Sequence, residues 1–129
     1  MINLSANYMG ISLRNPIIVS SCSLSHSAEG VKRLADAGAG AVVLKSMFEE
    51  QILADVNKLE FESSAMAHPE EIDYLRQMGM SQKSDEYLKI IEKSKETVDI
   101  PVIASVNCIS DSSWTDYAKY IEAVGADAL

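Results

Sequence analysis

The segment LADAGAGAVVLKSMFEEQ, Leu34 to Gln51, decides how the chain is read. Leu34, Ala35 and Ala37 close an apolar helical face, and Gly38 ends the helix because glycine adopts the left-handed conformation other residues resist. Ala41-Val-Val-Leu44 is a short continuous apolar run, the pattern of a parallel strand buried on both faces. Lys45 and Ser46 stand at its carboxyl end, where an α/β sheet places its chemistry. A lysine there has a plain explanation, that the strand has reached water. The sharper reading is a cation aimed at an anionic ligand.

Working outward, Leu4 to Tyr8 and Ile11 to Leu13 flank Met9-Gly10 and predict a hairpin over 3–14. Asn15-Pro16 opens a first core strand at Ile17-Ile-Val19, which ends in Ser20-Ser21-Cys22-Ser23. Ser27 is placed to cap a helix, with Glu29 in its first turn and Val31, Leu34 and Ala35 on one face. Beyond Gln51 the periodicity lapses. Residues of about 52–82 read as an irregular insertion with some helix, and Met78-Gly79-Met80 reads as a break. Ser84-Asp85-Glu86 then predicts a helix start, with Tyr87, Ile90, Ile91 and Ser94 in helical spacing up to Val98. Pro101 to Val106 is a third strand. Ser113 and Asp116 fit the cap of a helix carrying Trp114, Tyr117, Ala118 and Ile121 inward, stopped by Gly125 before a fourth strand from Ala126 to Leu129.

Two parts of this order repeat. Asn15-Pro-Ile-Ile-Val-Ser resembles Ile100-Pro-Val-Ile-Ala-Ser at an offset of 85, and Gly38-Ala-Gly-Ala-Val resembles Gly125-Ala-Asp-Ala-Leu at an offset of 87. Repeated βα units mean a parallel sheet with right-handed crossovers. A doubly wound sheet of receiver or flavodoxin type suits the length, but a receiver needs an acidic cluster where Ser20-Ser21-Cys22 stands. A (β/α)8 TIM barrel needs about 250 residues. The expected architecture is therefore the N-terminal half of a barrel: residues 1–129, a hairpin, then βα units from 16 onward. An apolar inner face of Ile17, Val19, Val43 and Ile103 would then require further strands, from a C-terminal half or a second copy making a homo-oligomer. Alone, the segment is not expected to be a stable monomeric flavoprotein.

Composition narrows the partners. The chain has 129 residues, 47% hydrophobic and 23% charged, with a net charge of -8, which argues against nucleic acid or an anionic membrane. No apolar run spans a bilayer and no signal peptide opens the chain. Cys22 and Cys108 form no C-x-x-C pair, so reduced thiols in a cytoplasmic protein are expected. His26, His68 and the two cysteines lack metal-ligand spacing, and no metal is expected. Gly38-Ala-Gly40 precedes a strand, so it is a turn and not a dinucleotide fingerprint. Cys22 reads first as a small buried thiol and second as a pocket-lining one.

Asn15-Pro-Ile-Ile-Val-Ser-Ser after a hairpin, followed by Ala37-Gly-Ala-Gly-Ala-Val-Val-Leu-Lys-Ser, resembles the opening of the dihydroorotate dehydrogenase family. Pro101-Val-Ile-Ala-Ser-Val-Asn-Cys and Val124-Gly-Ala-Asp-Ala-Leu extend the likeness to the C-terminus. Phe48-Glu-Glu-Gln51 resembles in particular the bacterial dihydroorotate dehydrogenase-like branch. The third strand and its helix also resemble the pyrimidine-reducing domain of dihydropyrimidine dehydrogenases.

The resemblance implies an FMN-dependent oxidoreductase that passes hydride between a dihydropyrimidine-type small-molecule substrate and the flavin. It implies that Ser20 and Ser21 contact FMN, with Lys45 and Ser46 at the flavin ring and Asn107 near it. The catalytic base and phosphate site are not expected in these residues. The loop Glu62-Ser-Ser-Ala-Met-Ala-His-Pro-Glu70 departs from the family's Asn-Ser-Met-Gly-Leu type of segment. That departure motivates the rival expectation of a non-catalytic βα scaffold or an open-sheet binding domain.

Overall fold

The computed structural model of the chain describes residues 2–48, 69–107 and 111–129. The loop expected around Glu62 to His68, Glu49-Glu50 and Cys108 lie outside the described residues.

Strands β1 (Ala6–Tyr8) and β2 (Ile11–Leu13) form the expected hairpin. Met9 and Gly10 both have positive φ, as a two-residue turn matched to strand twist requires. Strand β3 (Ile18–Val19) leads through a 3-10 turn at Ser23–Ser25 to helix α1 (Ala28–Asp36). The Ser27 hydroxyl accepts the Gly30 N–H at 3.2 Å and so caps α1. Gly38, at φ 102°, ends the unit, and strand β4 (Ala41–Val43) follows.

Two further strand pieces, β5 (Met47–Phe48) and, after helix α2 (Pro69–Thr97), β6 (Val102–Ile103), precede β7 (Val106–Asn107) and helix α3 (Asp111–Ala123). Helix α2 is unbroken from Pro69 and passes through Met78-Gly79-Met80, where the sequence predicted a break and an irregular stretch to 82. A single glycine costs a helix only about 1 kcal/mol, too little to end one supported on both sides. Trp114 lies in α3, within its first turn, and its side chain is outside the described residues.

The main sheet is parallel, in the order β3-β4-β6. A bridge between Ile103 and Ala128 continues it on the far side of β6. The second strand thus lies between the first and third, and the fourth segment lies beside the third. In the flavodoxin order the first strand would occupy the middle, so the open-sheet alternative of that type does not describe this topology.

Val42 from β4 and Leu44 just after it, Val102 from β6 and Ala104 just after it, Val31 from α1, Tyr87 and Ile91 from α2, and Tyr117 and Ile121 from α3 form one buried cluster. The three described helices therefore cover the same face of the sheet. Parallel crossovers are right-handed as a rule, and with that hand successive strands added in one direction leave their helices on one side. Val43 and Ile103, on the opposite face, are half-buried. The predicted inner face needs one correction. Val19 is registered with Val42 and so packs toward the helices, while Ile17 is 63% exposed.

The sequence repeat is also a repeat of hydrogen bonds. Gly40 N–H donates to Ile17 O at 2.8 Å, and Asp127 N–H donates to Val102 O at 2.9 Å. In the first unit Asn15 Oδ1 accepts the Ile17 N–H at 3.0 Å. A Cβ on Gly40 would lie 2.2 Å from Asn15 O, so only glycine fits beside that turn. In the second unit Asp127 itself reaches back, its Oδ2 accepting the Val102 N–H at 2.7 Å and the Lys95 ammonium at 2.7 Å.

Candidate functional site

The carboxyl ends of β3, β4 and β6 share one edge, and the sequence leaves polar residues on all three. Their arrangement depends on a change of register. Val43 pairs with Ile103 and Met47 pairs with Val106, so four steps on one strand oppose three on the other. The extra residue is a bulge, a device that redirects side chains at the rim of a sheet. Lys45 and Ser46 sit within it.

Each backbone N–H from Leu44 to Met47 has a partner, as buried or half-buried amides require. Leu44 N–H donates to Ile103 O at 2.9 Å, and Met47 N–H donates to Ser105 O at 3.0 Å. Between them, Lys45 N–H donates to Ser25 O at 3.0 Å, and Ser46 N–H donates to Ser21 Oγ at 2.9 Å. Across the bulge the Tyr87 hydroxyl serves Ser105 twice, accepting its N–H at 2.8 Å and donating to its carbonyl at 2.9 Å. Burial of Tyr87 pushes its phenol above the ordinary value, against a smaller opposite effect of the Ser105 backbone.

Three hydroxyls then form a chain along the edge. Ser21 Oγ lies 3.1 Å from Ser46 Oγ, which lies 2.6 Å from Ser105 Oγ. Of the residues expected from the sequence, Ser21 and Ser46 are therefore brought into contact. Lys45 is next to them and exposed, and among the described residues its ammonium has no ion-pair partner. Asn107 stands opposite Phe48 at the far end of the edge and is exposed. Ser20 is exposed and outside the hydroxyl chain. Ser105 and Tyr87 were not singled out by sequence reasoning as site residues. Ser105 occupies the position in the repeat that matches Ser20, which is the one signal that pointed to it.

Cys22 is half-buried, where the sequence read first as a small buried thiol. The Leu24 backbone N–H lowers its pKa, helped by Ser25 and by the charge of Lys45 and opposed by partial desolvation. A cavity of about 210 Å³ opens beside this edge, between Lys45-Ser46-Met47 and Lys83, Glu86 and Tyr87 of α2. The set combines the Lys45 ammonium, hydroxyls that both donate and accept, and a carboxamide. It suits the polar edge of a planar ligand carrying negative charge, and an FMN ring fits that description.

No family model matches the chain. Two curated proteins do resemble it. It is 32% identical over 126 residues to the dihydroorotate dehydrogenase B (NAD(+)) catalytic subunit of Methanocella arvoryzae, covering 97% of this chain and 38% of that protein. It is 28% identical over 123 residues to the protein of the same name from Methanocaldococcus jannaschii, covering 92% of this chain and 38% of that protein. The resemblance to dihydroorotate dehydrogenases thus runs along nearly the whole chain. The chain spans a little over a third of the length of these relatives, where about half was expected.

Proposed function

We propose that these residues form the opening units of an FMN-dependent, dihydroorotate dehydrogenase-like oxidoreductase of TIM-barrel architecture. The observation that carries the reading is the shared edge, where Ser21, the Lys45-Ser46 bulge and Ser105 meet from three parallel strands, with Asn107 farther along the same edge. Parallel strands laid down in sequential order, with helices on one face, are how a (β/α)8 barrel begins. Relatives named dihydroorotate dehydrogenase support the reaction class.

The chemistry FMN supplies when bound is reversible two-electron exchange with a dihydropyrimidine-type substrate. The chain's own residues bind and orient. The Lys45 ammonium provides fixed positive charge where a reduced isoalloxazine gathers negative charge, which favours that state. The hydroxyls of Ser20, Ser21 and Ser46 and the Asn107 carboxamide satisfy the ring's polar edge. A ready-made hydroxyl chain needs little reorganisation to do so. The remaining strands, the phosphate anchor and the catalytic base would come from further sequence or a second copy under the same proposal. Two cysteines without a partner motif fit a cytoplasmic setting.

The experiment is purification of the complete protein with its natural cofactor, followed by Lys45→Ala. Flavin absorbance in the wild type, with weaker binding or a lower reduction potential in the variant, is the expected result. A colourless protein that takes up no FMN sinks the reading in favour of a non-catalytic scaffold. Unchanged occupancy and potential in the variant remove the role given to Lys45.

A further inference from the structure

We infer that Tyr87 is a positioning residue for the strand-end site, fixing Ser105 and through it Ser46 where a ligand's polar edge meets them. The inference rests on the flavin reading above. Its basis is the bulge. In an unbroken parallel ladder the Ser105 amide would be held by neighbouring strands, but here β6 ends at Ile103 and β7 begins at Val106. A side chain from α2 takes over. The Tyr87 hydroxyl closes a two-bond clamp on the N–H and carbonyl of Ser105, at 2.8 Å and 2.9 Å. The ring is 7% exposed and belongs to the same core cluster as Leu44 and Ala104, so its position is set by packing.

The clamp joins the core to the site in three contacts. Tyr87 fixes the Ser105 backbone, Ser105 Oγ lies 2.6 Å from Ser46 Oγ, and Ser46 lies on Ser21 through both its N–H and its hydroxyl. The hydrogen bonds of Tyr87 go to the Ser105 backbone, so its hydroxyl acts on the site through Ser105. Losing the hydroxyl leaves the Ser105 N–H without its acceptor and the Ser105 carbonyl held by the Met47 N–H alone, so the anchor of the hydroxyl chain between β6 and β7 loosens. A phenylalanine keeps the ring and its packing, so the change isolates the clamp.

The test uses Tyr87→Phe in the complete protein, with Ile91→Val as a control that trims the same face of α2 without touching Ser105. Tyr87→Phe should raise the FMN dissociation constant about tenfold, the scale expected when a group that orients a ligand contact is lost. Ile91→Val should lower Tm and leave that constant unchanged. Tyr87→Phe combined with Ser46→Ala should bind FMN no worse than about the weaker single variant, because both break one chain. A second readout needs no flavin: the Ser46 and Ser105 amide resonances of the cofactor-free protein should shift in Tyr87→Phe and stay in Ile91→Val. Wild-type protein that binds no FMN overturns the flavin reading, and the amide shifts then still decide the clamp. Unmoved Ser46 resonances, or wild-type affinity in Tyr87→Phe, overturn the positioning role while leaving the flavin reading intact.

Discussion

Asn15 and Asp127 cap equivalent backbone N–H groups from opposite sides of a strand junction. Asn15 Oδ1 takes the Ile17 N–H from within the turn that precedes β3, whereas Asp127 Oδ2 takes the Val102 N–H from the following unit. The two solutions exclude each other locally. Where Asn15 fills the junction the facing residue is Gly40; where Ile100 replaces the asparagine, the facing position carries the aspartate.

Asp127→Ala should destabilise the protein by about 1–3 kcal/mol, since it strands both the Val102 amide and the Lys95 ammonium. Asp127→Asn keeps an acceptor for the amide and should lose less. Urea denaturation of both variants checks this, and equal losses would show that the backbone cap contributes nothing beyond charge.

Gly40→Ala should cost about 1–3 kcal/mol, because its Cβ meets the Asn15 carbonyl at 2.2 Å and the main chain must shift. Removing the Asn15 side chain in Asn15→Ala should not rescue it, as the closer clash is with backbone. Gly38→Ala has open space around its Cβ and fails for a different reason, the left-handed φ, at about 1–2 kcal/mol. Thermal melts of the three variants and the double variant separate clash from strain.

Burial raises the Tyr87 phenol above its ordinary 10.0, so the folded protein keeps that proton where the unfolded chain has released it. The corresponding stability is complete below pH 10 and is lost as pH climbs from there through the folded-state value. The difference in unfolding free energy between wild type and Tyr87→Phe should therefore shrink above about pH 10. A constant difference across alkaline pH would show that the phenol titrates alike in both states.

The Cys22 thiol is held below its ordinary 9.0 chiefly by the Leu24 N–H. Its alkylation rate should rise with a midpoint below 9.0, and Lys45→Ala should move that midpoint upward. Peptide mapping separates Cys22 from Cys108. A midpoint at or above the ordinary value would discard the effect.

Legibility followed the range of the interactions. The Met9-Gly10 turn, the Ser27 cap and the glycine stops at Gly38 and Gly125 are decided within a few residues, and the sequence displays them. The parallel order was foreshadowed by the Pro-led repeat. Helix α2 was started too late because a glycine and a serine looked like punctuation, while tertiary packing at Tyr87 and Ile91 held the helix through them. The bulge could not be seen at all. It exists only as a mismatch between two strands about sixty positions apart, and each strand taken alone looks regular. Lys45 and Ser46 stand out by their place at a strand end and Ser21 by the family resemblance, whereas the contacts of Ser105 and Tyr87 emerge only when the hydrogen bonds of that mismatch are traced.

The extra residue in the second strand also changes what a deletion would do. Val42, Leu44 and Met47 pack toward the helices, against Val102, Ala104 and Val106 on the neighbouring strand. Two consecutive side chains, Lys45 and Ser46, therefore occupy the interval where a regular strand holds one. Removing either would leave Met47 in phase with the core and let the ladder close without interruption. The fold has a spare length of one residue at this point, and that residue adds a second polar side chain to the rim. Shortening the chain there would preserve the scaffold and simplify the surface it presents, so at this edge survival of the fold and survival of the site are separable under insertion and deletion.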